Sequence, residues 1–209
     1  MSGGPIDRRR VGPYTKALIQ KEAVRLFNER GFRGTTMRDI AAACDLTPAA
    51  FYNHFDSKER LLAAIVTHTY DAMEAAVKDA TASADPDPAA QLTASIRAMT
   101  RWIFQNPDYA RLARRELREL EPLDRARTRK RSVLERAQVE AILEMGVKSG
   151  SFTLPPMNEQ LDAIRMTSVV ILTLVADVTH SFLQEGTTHS SRFEDLLVEV
   201  IGRVVGRPN

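Results

Sequence analysis

The sequence predicts an all-α chain, with an N-terminal three-helix head carrying a helix-turn-helix and a C-terminal helical body. Three observations lead there. No run of Val, Ile and Thr alternates with period two between turn residues, so no strand is signalled. Stretches between Gly, Pro and capping residues instead repeat their apolar side chains at three- and four-residue intervals. Residues 36–55 read as helix, three-residue connection, helix.

Residues 1–13 read as a flexible basic arm. Gly3, Gly4, Pro5, Gly12 and Pro13 oppose regular structure there, and Arg8, Arg9 and Arg10 supply the charge. A first helix is expected over about residues 15–30, where Ile19, Ala23, Leu26 and Phe27 share a face and Gly31 closes the end. Thr36 and Asp39 have the spacing of a capping box and open a helix over about 37–44. Thr47 at the N-cap and Pro48 at the first helical position open the next, over about 48–55. Asp56, with Glu59 three residues on, is expected to cap a longer helix reaching about Lys78. Residues 81–88 (Thr, Ser, Asp and Pro) read as the joint between head and body. Helices then follow over about 89–105, 107–120, 124–148, 158–184 and 190–205, punctuated by Pro107, Pro122, Pro155, Pro156 and Gly186.

The 209 residues are enough for one domain of ordinary size, or two small ones sharing a core. A composition of 44% hydrophobic and 27% charged residues is that of a globular chain, not a disordered one. The single cysteine, Cys44, excludes an internal disulfide framework and fits a reducing cytoplasm. The most apolar stretch, 166–178, is too short and too interrupted by Thr, Ser and Asp for a membrane span, so no membrane partner is expected. Charge is uneven: residues 1–60 carry a balance of +4 and the remainder −2. A basic head on a mildly acidic body suggests a polyanion as the head's partner.

The two short helices of 36–55 give that suggestion a geometry. Eight residues make a helix about 12 Å long. Such a helix cannot form a core by itself, but its N-terminal face fits a major groove roughly 12 Å wide. Ile40, Ala41 and Cys44 would pack on Leu46, Ala50, Phe51 and Phe55. The opposite face offers Thr47, Ala49, Tyr52, Asn53 and His54. Tyr52 and His54 can donate to phosphate, Asn53 can pair twice with adenine, and Thr47 and Ala49 can touch a thymine methyl. Thr36, Arg38 and Lys58 stand where backbone phosphates would pass. Taken singly, Tyr52 reads equally as a half-buried core aromatic, and His54 as an ordinary surface histidine.

Residues 23–41 and 46–62, ending in Tyr52-x-His54-Phe55-x-Ser57-Lys58-Glu59, resemble the TetR family of bacterial transcriptional regulators. The resemblance covers about residues 15–65. It implies an all-helical homodimer: a DNA-binding head (14–62) that reads a palindromic operator in double-stranded DNA, and a body (63–209) that holds a small-molecule effector and the dimer seam. It places Thr36, Arg38, Thr47, Ala49, Tyr52, Asn53, His54 and Lys58 at positions that commonly contact DNA. Two residues depart from the pattern. Asp45 occupies a left-handed turn usually given to glycine. Pro48, within the same DNA-facing set, replaces a common phosphate-contacting lysine or serine.

The body is less legible. The helix over 158–184 is apolar nearly all round and so must be covered on several sides. With the last helix it either completes a monomer core or, as the resemblance implies, forms a four-helix seam between two copies. Trp102, Phe104, Tyr109, Met145, Phe152, Met166, Val170, Thr173, Asp177 and His180 are the candidate effector-binding residues. Thr173, Asp177 and His180 share a stripe that reads either as a polar anchor in an apolar pocket or as a contact across the seam. Residues 111–136 hold ten basic side chains against five acidic ones. That is either a solvated, salt-bridged face or an entry for an anionic ligand; the resemblance includes regulators that bind acyl-coenzyme A thioesters. A helical protein-interaction scaffold is the alternative to a ligand-released repressor. An enzyme is a further one, but no metal-spaced His/Cys set, Gly-rich phosphate loop or Ser-His-Asp arrangement supports it. No catalytic residue, cofactor or metal is assigned.

Overall fold

Capping chemistry sets most of the helix boundaries in the computed structural model, which describes residues 11–155, 162–185 and 191–206. The elements are α1 (Val11–Arg30), α2 (Met37–Ala43), α3 (Pro48–Tyr52), α4 (Lys58–Ala82), α5 (Pro88–Gln105), α6 (Pro107–Arg115), a 3-10 turn (Glu116–Glu119), α7 (Pro122–Ser149), α8 (Ala163–Gln184) and α9 (Ser191–Val204). No strand occurs among the described residues, as the all-α reading expects.

Several boundaries move. α1 starts at Val11, so the expected arm loses residues 11–13. Pro13 is tolerated because the first turn of a helix has no partner for its missing N–H. Residues 1–10 lie outside the described residues. The Thr36–Asp39 capping box forms: the Thr36 N–H donates to the Asp39 carboxylate at 2.8 Å and the Asp39 N–H to the Thr36 hydroxyl at 3.2 Å. α3 spans only five residues, not the eight expected. Its chain tightens at the end, where the His54 N–H bonds back three residues to the Phe51 carbonyl. Ser57, not Asp56, caps α4, its hydroxyl accepting from the Arg60 N–H at 3.1 Å. α4 then continues past Lys78 to Ala82, which shortens the joint before Asp87 caps α5. Asp162 caps α8, while the expected start at residue 158 falls outside the described residues.

The chain gathers into two units. The first comprises residues up to Thr69 together with Asp108–Arg125. Ile19, Phe27, Ile40, Phe51, Leu61, Leu62, Ile65 and Leu112 are fully buried in it. Segment 108–125 is tied in by side chains: Asn28 donates to the Asp108 carbonyl at 3.0 Å and Arg115 to the Phe27 carbonyl at 2.6 Å. The first unit thus reaches beyond the 14–62 head expected from the sequence.

The second unit comprises Tyr70–Pro107 and the residues from Ala126 onward. Here α5 packs on α8 and α9. The Glu194 carboxylate is fully buried and takes two bonds from Arg101, at 2.6 and 2.7 Å. Pairing of that kind offsets the cost of taking a carboxylate out of water. By length and composition α8 could cross a membrane. It nevertheless buries one side (Thr167, Ser168, Ile171, Val175 and Thr179) inside the unit. Met166, Val169 and Val170 stay exposed, and so do Leu196 and Val200 of α9.

Candidate nucleic-acid interface and ligand cavity

The first unit presents α3 as a thin exposed face on a buried anchor. Phe51 is fully buried, and it is flanked by exposed Thr47, Pro48, Ala49, Tyr52 and Asn53. The helix is placed by what precedes it. Asp45 has φ 54, the left-handed turn expected at that position, and its neighbours Ala41 and Cys44 are buried. The Leu46 N–H bonds to the Ala41 carbonyl at 2.9 Å, closing the connection. The Thr47 hydroxyl accepts from the Ala50 N–H at 3.2 Å. Burial raises the Cys44 thiol to about 11, which keeps it protonated and unreactive.

Tyr52 is 50% exposed and meets Phe51 edge-on, ring centroids 6.2 Å apart. At that exposure it is not a core aromatic. His54 is half-buried. Thr36 and Arg38 are exposed. Arg38 is paired with no carboxylate among the described residues. Thr36 is occupied by its capping box, which holds the Asp39 carboxyl below its ordinary value.

Lys58 differs from the rest of the set. Its ammonium donates to the Phe32 carbonyl at 2.8 Å and the Thr35 carbonyl at 2.9 Å. It also lies 4.4 Å from the centroid of the Phe32 ring. All three partners belong to the connection between α1 and α2, so the charge expected to meet phosphate instead clamps the base of the helix-turn-helix.

In the second unit a cavity of about 350 Å³ opens between α4, α5, α7 and α8. Its walls are mostly apolar: Val77 and Ala82 from α4, Met99 from α5, Val139 and Ile142 from α7, Leu172 from α8. Lys78, Ser95 and Glu135 supply polar groups. Glu135 makes no hydrogen bond or ion pair with any described residue. Burial, with repulsion from Glu74, pushes its carboxyl up to about 6.

None of the ten residues expected to bind effector lines this cavity. Trp102 and Phe152 are core residues, the Phe152 ring lying against Gly146. Phe104 packs edge-on to Phe193. Tyr109 belongs to the first unit, where its ring meets His68 and burial raises its hydroxyl. Met145, Met166, Val170 and Thr173 are exposed, and Asp177 and His180 are half-buried. Large aromatic side chains fill space, whereas a cavity survives where packing leaves it. Selecting by size and aromaticity brought in two core residues, Trp102 and Phe152, and missed this cavity. Glu135, an acidic residue on a helix rich in charge, gave no sequence signal.

The basic segment 111–136 is largely occupied internally. Arg125 donates to the Arg118 and Leu120 carbonyls, Arg131 pairs with Asp71, and Arg136 pairs with Glu140.

Residues 19–65 match the family model described as bacterial regulatory proteins, tetR family. Residues 85–205, more than half of the chain, match the tetracyclin repressor-like C-terminal domain. A bacterial regulatory protein of the tetR family from Rhodococcus RHA1 has a similar solved structure, with 28% identity, coverage of 93% of this chain and 98% of that one, and a TM-score of 0.82. AibR, solved in complex with isovaleryl coenzyme A and operator DNA, shares the fold at 21% identity, with coverage of 93% and 100% and a TM-score of 0.75. The HTH-type transcriptional repressor KstR2 of Rhodococcus jostii is 32% identical over 136 residues, which are 62% of this chain and 64% of that protein. The chain spans less than two thirds of the length of the curated relatives it matches. With both family models placed on a fold shared along nearly its whole length, the chain belongs to the tetR family of bacterial regulatory proteins.

Proposed function

We propose that this chain is a homodimeric, cytoplasmic repressor that binds a palindromic operator through α3 and is released by a small apolar or amphipathic effector. The observation that carries the reading is the α3 surface: five exposed positions, 47–49, 52 and 53, over a fully buried Phe51. Thr47, Pro48, Ala49, Tyr52 and Asn53 meet the major groove, with Asn53 reading an adenine and Tyr52 and His54 donating to phosphate. Thr36 and Arg38 flank the groove. Lys58 serves by holding the unit in shape.

A two-fold operator requires two heads about one helical turn apart, hence a dimer. The exposed apolar residues of α8 and α9 supply a surface for the second copy. The effector occupies the cavity between α4, α5, α7 and α8, and it acts by binding better to a conformation whose heads do not match the operator spacing.

The test is a salt-titrated binding measurement on the DNA just upstream of the gene, searched for a palindrome. Affinity is expected to fall steeply with salt as phosphate counterions are released. A flat profile, or equal affinity for scrambled DNA, overturns the reading.

A further inference from the structure

We infer that the effector is a small hydrocarbon-bodied amine, whose ammonium pairs with Glu135 while its chain fills the cavity between α4, α5, α7 and α8. The inference rests on the reading of that cavity as the effector site. Size comes first. A volume of about 350 Å³ lies at the small end of ligand pockets, which begin near 300 Å³. It has room for about a dozen water-sized groups. An eight-carbon chain fits, and a coenzyme A thioester does not fit whole.

Charge decides the class. The Glu135 carboxylate can only accept hydrogen bonds, and it takes none from any described residue. A neutral, wholly apolar ligand would strip its remaining water and return nothing. An anion would be repelled by Glu135, whose charge Glu74 already disfavours. A cation compensates it. The groups facing Glu135 leave this role open. Lys78 on α4 lines the cavity but is exposed and forms no ion pair with Glu135. Arg131, one turn earlier on α7, is paired with Asp71. The α5 and α8 walls bring Gln91, Ser95, Met99 and Leu172, none of them charged. Ser95 and Gln91 can add hydrogen bonds to the ligand's polar end, and Val139, Ile142 and Met99 enclose its chain.

The experiment is calorimetric titration of the full chain with octylamine, octanol and octanoate, near neutral pH and below micelle formation. Octylamine is expected to bind at least about tenfold more tightly than either partner. Glu135→Gln should erase that preference, and Glu135→Asp, which keeps the charge, should retain it. Octanol binding as tightly as octylamine, or octanoate binding more tightly, overturns the amine assignment and leaves the cavity as the effector site. If none of the three binds, the amine assignment and the cavity reading fall together.

Discussion

The Lys58 ammonium is bonded to the Phe32 carbonyl at 2.8 Å and stacked 4.4 Å from the same residue's ring centroid. One side chain thereby fixes the turn after α1 to the start of α4. The Phe32 carbonyl also accepts from the Thr35 N–H at 3.3 Å, so removing the ammonium chiefly strips a donor from the carbonyl of buried Thr35 and costs more than a surface charge would. Lys58→Met, which keeps the stem, is expected to destabilise the chain by about 1.5–3 kcal/mol in denaturant melts. The salt slope of operator binding is expected to stay unchanged at conditions where the variant is folded. A slope reduced by about one would mean that Lys58 neutralises a phosphate after all.

Arg38 and Asn53 should separate in the way the clamp does not. Arg38→Ala is expected to weaken all sequences alike and to lower the salt slope by about one. Asn53→Ala should relax preference at one base pair, at a cost of about 1–3 kcal/mol. Binding-site selection with the two variants reads both effects; an unchanged consensus for Asn53→Ala removes its reading role.

Asp45 holds φ 54, a region that favours glycine. Asp45→Gly should stabilise the chain by up to about 1 kcal/mol through lost strain, set against glycine's extra unfolded-state entropy. Asp45→Val should destabilise it by more than that. Thermal melts of the pair test the point, and a more stable valine variant would contradict it.

Glu135 makes stability depend on pH. Its carboxyl rises from 4.5 to about 6 on folding. Between those values the folded chain keeps a proton that the unfolded chain has released, so stability falls as pH rises through the window. The whole penalty, about 2 kcal/mol, is present above the folded value and absent below the unfolded one. Glu135→Gln should therefore exceed the parent in stability by about 2 kcal/mol at neutral pH and match it in acid. A difference that does not vary with pH would show that this carboxyl does not titrate there.

Val170 is 41% exposed on the outer side of α8. Val170→Glu should convert a dimer to monomers in sedimentation, because a charge at an apolar seam is desolvated without a partner. It should lower operator affinity while leaving helix content unchanged. A variant that stays dimeric would place the seam elsewhere.

What the sequence determined by itself was local. Thr36 with Asp39, Thr47 with Pro48, and Gly31 act on backbone within a few residues, so these caps and the exposed face of α3 were legible from spacing, while the left-handed turn at Asp45 came with the family resemblance. The resemblance of residues 15–65 then supplied the family, which the family models bear out. Only the tertiary structure could decide what depends on residues far apart in the chain. It turned the Lys58 charge inward onto Phe32 and Thr35, drew 108–125 into the first unit, and opened the cavity where side chains of four helices leave space unfilled. Hydrogen bonds across 26 or 80 residues leave no periodicity to read, and empty volume belongs to packing, not to any single residue.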